Sequence, residues 1–138
     1  MKNNIVKDWM TSPPIIISSD VILPEAHQIM TDNNVRRLPI IDNNTLVGIV
    51  ARSDVLEAGP SDAISLSIFE LNYLIAKLTV KEIMTKEVIT VTSETKLNEV
   101  AKIMLEHKIG GLPVIDAEEV VGIITESDLF RAVMEILD

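Results

Sequence analysis

The stretch LVGIVARSDVLEA, residues 46–58, is repeated 74 residues later as VVGIITESDLFRA, residues 120–132. The similarity extends upstream without a gap: between residues 6–58 and 80–132, 20 of 53 positions are identical. Chance similarity at average composition would give about three or four identities. The chain therefore contains the same unit twice, and the fold of one copy predicts the fold of the other.

The second copy indicates most clearly which elements the repeat contains. Short runs rich in β-branched residues at 88–90, 112–116 and 120–125 predict three strands, and the segment 117–119 predicts a hairpin turn between the last two. A helix over 95–107 and a closing helix are predicted from apolar residues at the 3.6-residue helical period. Each repeat is therefore predicted as β-α-β-β-α, and the fold class as α+β.

The residues predicted to face inward on these helices share that spacing. In the second copy they are Leu97, Val100, Ala101, Met104 and Leu105, and in the closing helix Leu129, Val133, Ile136 and Leu137. In the first copy, after a predicted strand at 14–17, they are Leu23, Ala26, Ile29 and Met30. Such a unit buries only one face of its sheet, so we expect two units to pack together.

The repeats divide the chain into three predicted parts: repeat 1 at 1–62, a connecting helix at 63–78 and repeat 2 at 79–138. The connecting segment has apolar residues at helical spacing but matches neither repeat. It is richer in apolar residues than a connector needs. Two interpretations stay open, because the helix could pack between the units or form an oligomer interface.

Composition excludes several kinds of site and partner. The 138 residues include no cysteine, which rules out disulfides and thiolate metal sites and fits a reducing cytosol. The start lacks the apolar run of a signal peptide, and no apolar stretch approaches the ~18 residues of a membrane span. We therefore expect a cytoplasmic protein with no membrane partner. A net charge of −9 and few aromatic residues argue against nucleic acid. The sequence contains no catalytic or metal-binding constellation, so we do not expect an enzyme.

Taken together, these segments resemble a tandem pair of CBS domains, or Bateman module, as found in small stand-alone prokaryotic proteins. The resemblance covers nearly the whole chain and is carried by VKDWMT and VKEIMT, by RRLPIID and GGLPVID, and above all by GIVARSD and GIITESD. It implies two repeats packed about a pseudo-twofold axis, with two clefts for AMP, ADP, ATP or S-adenosylmethionine. It also implies pairing into homodimers, and a ligand that regulates rather than a cofactor that catalyses.

The family pattern for ribose contact is Gly, two apolar residues, Thr or Ser, two residues and Asp. Repeat 2 matches this pattern from Gly122 to Asp128, whereas repeat 1 has Ala51 in the place of the hydroxyl. A carboxylate can accept both hydroxyls of a ribose edge, and Gly122 would let the ligand approach the strand. The same Thr-x-x-Asp spacing also caps a helix, so both interpretations stay open. The candidate ribose contacts are Asp128, Thr125, Asp54, Ser53 and Ser127.

Basic residues near the LPIID and LPVID strands are candidates for phosphate contact, although solvated or ion-paired side chains are the alternative. These candidates are Arg36, Arg37, Arg52 and Lys108. For adenine, the resemblance implies contacts that are mainly made by the backbone. The candidates are Ile15, Leu38, Pro39, Ile89, Gly111, Leu112 and Pro113. The two prolines equally suit the start of an edge strand.

Repeat 2 matches the ribose pattern more completely, whereas repeat 1 carries more of the basic residues that are candidates for phosphate contact. Two arrangements stay open: one cleft that combines both halves, or two unequal sites. The function predicted from the resemblance is a regulatory sensor that binds an adenosine compound and signals to a partner protein of unknown identity. The alternative is a ligand-free dimerisation module with vestigial clefts.

Overall fold

The structure, a computed structural model, describes residues 3–58 and 76–138. The chain forms two compact units of mixed α+β structure, which confirms the predicted fold class. We call residues 15–87 the central unit, and residues 1–14 together with 88–138 the terminal unit. The predicted connecting helix at 63–78 lies outside the described residues, except for its last three positions.

The two units repeat the same order of elements. The central unit contains α1 (Leu23–Asn33), β1 (Arg37–Asp42), β2 (Thr45–Ala51), α2 (Arg52–Glu57) and a 3-10 turn at Val80–Glu82. The terminal unit contains a 3-10 turn at Val6–Asp8, α3 (Leu97–His107), β3 (Gly111–Asp116), β4 (Glu119–Thr125) and α4 (Glu126–Ile136). In each unit the two strands pair as an antiparallel hairpin, and a helix begins at the residue after the second strand.

The strands predicted at 14–17 and 88–90 are reduced to single parallel bridges. Ile17 pairs with β1, and Val91 pairs with β3. Ile17 donates its N–H to the carbonyl of Pro39 at 3.1 Å. The preceding step of a parallel ladder would need an N–H from Pro39, which proline lacks, so the pairing does not extend toward the N-terminus.

The opening segment VKDWMT of repeat 1 packs in the terminal unit. Thr11 and Ile123 of β4 exchange backbone hydrogen bonds of 2.9 and 3.0 Å, and the N–H of Val6 donates to the carbonyl of Thr95 at 2.9 Å. The side chain of Trp9 lies in the core of this unit. Repeat 1 therefore completes the unit that holds most of repeat 2.

The opening segment VKEIMT of repeat 2 packs in the central unit in the matching way. Thr85 exchanges backbone hydrogen bonds with Ile49 of β2, and the N–H of Val80 donates to the carbonyl of Val21. The compact units therefore differ from the sequence repeats at 1–62 and 79–138, because each repeat contributes its opening segment to the other unit.

Each unit has its own apolar core. In the central unit it consists of Ile17, Leu23, Ala26, Met30, Leu38, Ile40, Val50 and Val80. In the terminal unit it consists of Val6, Trp9, Val91, Leu97, Val100, Met104, Leu112, Val114, Ile124 and Ala132. The predicted inward face of α1 is confirmed, and in α3 Leu97, Val100 and Met104 are buried as predicted. Ala101 is only half-buried, and Leu105 is 81% exposed.

The closing helix α4 turns a different face to the core than its apolar spacing predicted. Asp128 and Ala132 are buried, and Leu129 packs against the core. Three residues predicted to face inward are exposed: Val133, Ile136 and Leu137. The helix has two apolar faces, and the periodicity could not distinguish between them.

Candidate functional site

The candidate ribose residues of the terminal unit lie where β4 passes into α4. Asp128 is buried, with 3% of the residue exposed. Its Oδ2 accepts the N–H of Thr125 at 2.9 Å and the hydroxyl of Thr125 at 3.1 Å. The capping interpretation is therefore correct for Asp128, which bonds the amide at the helix start. The hydroxyl of Thr125 donates to that carboxylate, and Ser127 is exposed.

A third donor to Asp128 was missed from the sequence. Nη1 of Arg131 lies 2.7 Å from Oδ1 of Asp128. The side chain of Arg131 is 65% exposed, whereas that of Asp128 is 5% exposed. The signal was available, since opposite charges three residues apart on a helix are neighbours. The carboxylate of Asp128 is thus ion-paired with an arginine of its own helix.

The equivalent carboxylate of the central unit is more open. Asp54 is half-buried, and its Oδ2 accepts the N–H of Ala51 at 2.9 Å. Ala51 supplies no hydroxyl, and Glu57 stands where α4 has Arg131. Within the described part of the chain, no donor reaches the other oxygen of Asp54. Ser53 is exposed at the same end of α2.

The three arginine candidates for phosphate contact come together in the central unit. Arg37 faces Ala51 in the hairpin, and the N–H of Arg52 donates to the carbonyl of Arg36 at 2.7 Å. All three therefore belong to the end of the hairpin that carries Asp54. The backbone thus brings three basic residues to one end of the hairpin, in a chain whose net charge is −9.

The terminal unit has glycines at the corresponding place. Gly111 faces Thr125 in the β3–β4 hairpin, and the carbonyl of Gly110 accepts the N–H of Glu126 at 3.0 Å. Lys108, the remaining phosphate candidate, ends α3 with a left-handed backbone and an exposed side chain. The two units therefore present different charges beside their matched carboxylates.

The adenine candidates mostly belong to the cores of the units. Leu38 and Leu112 are fully buried. The carbonyls of Pro39 and Pro113 each accept an N–H at 3.1 Å from the bridge residue beside them. A carbonyl has a second lone pair, so these groups keep acceptor capacity. Gly111 is buried, and the remaining candidates, Ile15 and Ile89, are half-buried against the cores.

Gly122, the glycine of the ribose pattern, lies against Met10 and Thr11 of the opening segment. A Cβ at Gly122 would lie 2.7 Å from Sδ of Met10 and 2.8 Å from the carbonyl oxygen of Thr11. Gly48 is approached in the same way by Met84. The expectation that Gly122 makes room for a ligand is therefore corrected: both glycines make room for the exchanged opening segments.

The aspartates that end LPIID and LPVID hold a loop. The hydroxyl and then the amide of Ser19 lower the pKa of Asp42 below its ordinary 3.8, and Lys81 adds a weaker attraction. Ser93 lowers the pKa of Asp116 in the same order, with Lys7 as the nearby cation. These carboxylates tie the loop before the first helix to the end of a strand.

Residues 3–58 and 76–138 contain no group of three or more His, Cys, Asp or Glu side chains that could hold a metal ion. Within the same ranges, every helix is too short or too polar to cross a membrane.

The sequence profile of the CBS domain matches residues 6–61 and 80–135. The uncharacterized protein MJ1225 of Methanocaldococcus jannaschii is 31% identical over 138 residues, covering 94% of this chain and 47% of that protein. L-aspartate semialdehyde sulfurtransferase of the same organism is 35% identical over 129 residues, covering 92% of this chain and 23% of the enzyme. The chain thus spans less than half the length of these two relatives.

Two solved structures are similar to the chain over nearly all of its length. The CBS domain pair of protein MJ0100, in complex with 5′-methylthioadenosine and S-adenosyl-L-methionine, has a TM-score of 0.80 and 34% identity, covering 96% of this chain and 97% of that one. CBSX2, a protein of Arabidopsis thaliana, was solved in complex with AMP. It has a TM-score of 0.78 and 31% identity, covering 99% of this chain and 100% of that one.

Proposed function

Because the chain belongs to the CBS domain family, we propose that it is a regulatory module that binds an adenosine compound beside Asp54 and Asp128. The observation that carries this proposal is the matched carboxylate at the end of each hairpin, held by a backbone amide of its own helix start. The ligands of the two similar structures support it, since 5′-methylthioadenosine, S-adenosylmethionine and AMP all contain adenosine.

The chemistry of the shared part of these ligands suits the carboxylates. Adenosine presents two adjacent ribose hydroxyls, and an ionised carboxylate can accept both. Hydrogen bonds to a charged group are stronger than neutral ones, so this contact would orient the ligand. The adenine would then lie toward the strands that carry Pro39 and Pro113.

The two sites are proposed to differ in what they accept at the 5′ end. Arg36, Arg37 and Arg52 place positive charge near Asp54, and guanidinium groups pair well with phosphate oxygens. The central unit therefore suits AMP, ADP or ATP. The terminal unit has glycines in place of two of these arginines, so it suits a ligand without phosphate, such as S-adenosylmethionine. This is the arrangement of two unequal sites.

The regulatory role requires that the ligand favours one conformation of the module, which a partner protein then recognises. The partner is unidentified. Cytoplasmic location and the lack of catalytic activity stay predictions. The competing proposal is a ligand-free dimerisation module, in which the carboxylates only cap their helices.

Calorimetric titration with AMP, ATP, S-adenosylmethionine and 5′-methylthioadenosine tests the proposal. Asp54→Asn and Asp128→Asn should each weaken one class of ligand by at least about tenfold, because a bond to a charged acceptor contributes about 1.5–3 kcal/mol. Asp32→Asn, an exposed aspartate on α1, is the control and should leave the affinities unchanged. If no adenosine compound binds the wild-type protein, the ligand-free module is correct.

A homodimer is proposed from the exposed apolar face of α4. Phe130, Val133, Met134 and Leu137 recur at helical spacing and are 48–80% exposed, and Leu105 of α3 is also exposed. Exposed apolar patches of this kind are typical of protein interfaces. Light scattering should give twice the chain mass of 15.3 kDa for the wild-type protein and the single mass for Phe130→Glu. A monomeric wild-type protein would contradict the dimer.

A further inference from the structure

Asp128 has too few open acceptor positions to bind both hydroxyls of a ribose. A carboxylate offers about four lone-pair positions. The N–H and the hydroxyl of Thr125 occupy two on Oδ2, and Arg131 occupies one on Oδ1. Three of about four positions are therefore taken, which leaves one for a ligand with two adjacent hydroxyls.

We infer that Arg131 is a displaceable competitor of the ribose at Asp128, and that its guanidinium must leave before an adenosine compound binds with both hydroxyls. This inference rests on the proposed function. Arg131 is the donor that can leave, because its side chain is 65% exposed, whereas Thr125 is held in the hairpin. Its guanidinium can exchange the carboxylate for water.

Burial explains why the competitor is needed. The side chain of Asp128 is 5% exposed, and a buried carboxylate without a partner is costly. Thr125 bonds only Oδ2, so Arg131 supplies the partner of Oδ1 in the unliganded protein, and the ribose hydroxyls would supply it in the complex. Displacing Arg131 thus lowers the net gain from ligand binding without leaving the carboxylate bare.

In the described residues of the central unit, no side chain competes for the carboxylate in this way. Glu57 stands at the position equivalent to Arg131 and cannot donate to Asp54. Within the described residues, the N–H of Ala51 is the donor recorded for Asp54. About three of its four lone-pair positions are then open. Arg131 therefore makes the two carboxylates unequal in a way that the duplicated aspartates do not reveal.

The test measures adenosine and 2′-deoxyadenosine affinity by calorimetry in an Asp54→Asn background, which removes the central carboxylate. Arg131→Met should bind adenosine about tenfold more tightly, as expected for removal of a competing charged hydrogen bond. 2′-Deoxyadenosine needs only the open position, so its affinity should change less. Lys102→Met, which removes a positive charge from the exposed face of α3, is the control and should match the background.

The outcomes separate the inference from the proposed function. Unchanged or weaker adenosine binding by Arg131→Met overturns the competitor and leaves the proposed function intact, because a weaker affinity means that Arg131 contacts the ligand. No adenosine binding by either protein overturns the competitor and the proposed site at Asp128, whereas titration of the wild-type protein with AMP tests the proposed site at Asp54 separately. As a measurement that needs no substitution at Arg131, its guanidinium NMR signals should shift on addition of adenosine. Signals that stay unchanged while adenosine binds at Asp128 overturn the competitor.

Discussion

The four repeated aspartates show how the same side chain takes different roles in different surroundings. Asp42 and Asp116 each accept hydrogen bonds from one serine and keep a loop in place. Asp54 and Asp128 each lie in the first turn of a helix and accept the N–H of the residue three positions before them. Their environments differ again, because Arg131 reaches only Asp128. Position in the repeat therefore determines whether the carboxylate holds a loop or a helix start, and a neighbouring side chain then distinguishes Asp128 from Asp54.

The loop aspartates make stability depend on acid pH. Because the folded pKa of Asp42 lies below 3.8, its contribution is present above that value and is lost as pH falls through the folded pKa. We expect the urea midpoint of the wild-type protein to fall more steeply below about pH 4 than that of Asp42→Asn. Ser19→Ala should raise the pKa of Asp42 in a carbon NMR titration. An unchanged pKa in Ser19→Ala would rule out the hydrogen bond as the cause.

The two glycines of the hairpins should differ in their tolerance of a methyl group. In Gly122→Ala the new Cβ would meet the backbone carbonyl of Thr11 at 2.8 Å, which cannot swing away. In Gly48→Ala the nearest atoms belong to the flexible side chain of Met84, and the carbonyl of Thr85 is at 3.0 Å. Overpacking costs about 1–3 kcal/mol, so we expect Gly122→Ala to be the more destabilised in urea unfolding. The reverse order would contradict this packing.

The two hairpins have the same turn conformation, but their turn residues differ in how readily they adopt a positive φ. Both turn residues have positive φ: 51° and 63° at Asn43 and Asn44, and 49° and 66° at Ala117 and Glu118. A two-residue turn with this backbone favours Asn followed by Gly. Ala and Glu are strained there, since a left-handed conformation costs an ordinary residue about 1–2 kcal/mol.

The strained turn can therefore be relieved. Ala117→Asn combined with Glu118→Gly should raise the free energy of unfolding by about 1 kcal/mol, because Asn and Gly adopt positive φ at lower cost. Asn43→Ala combined with Asn44→Glu is the matched control in the other hairpin and should lower stability by a similar amount. Urea denaturation measures both. A loss of stability in the first variant would contradict the turn geometry.

Across the chain, the exchange of opening segments links the two repeats into one structure. Trp9 comes from repeat 1 but is buried in the core of the terminal unit. Ile83, its equivalent at the offset of 74, packs against the core of the central unit. Neither repeat contains all of the apolar residues of its own compact unit, so neither is expected to fold fully alone.

Amide hydrogen exchange can test whether each opening segment stabilises the unit formed mainly by the other repeat. Trp9→Ala should lower stability by about 3–5 kcal/mol and speed amide exchange mainly in residues 88–138, because large buried aromatic side chains cost this much to remove. Ile83→Ala should speed exchange mainly in residues 15–58. If Trp9→Ala instead affected residues 15–58 most, each sequence repeat would be its own folding unit.

Much of the fold was predictable because it is encoded locally. The duplication, the hairpins and the helices followed from identities and from periods of two and 3.6 residues, and the resemblance to a CBS domain pair is confirmed by the family match. The candidate carboxylates were found in the same way, since a strand followed by a helix start predicts where Asp54 and Asp128 lie. The role of those carboxylates as ribose contacts stays a prediction.

Other features required the folded chain, because they depend on which distant surfaces meet. Periodicity could not choose between the two apolar faces of α4, and packing buried the one that carries Asp128 and Ala132. Nor could it assign Trp9 to a core more than 70 residues away. The ion pair between Arg131 and Asp128 also depends on the fold. The spacing of the two residues permits it, but it matters because packing buries the carboxylate. Local sequence determines where the helices and strands form, and long-range packing decides which of their faces are buried and against which segments.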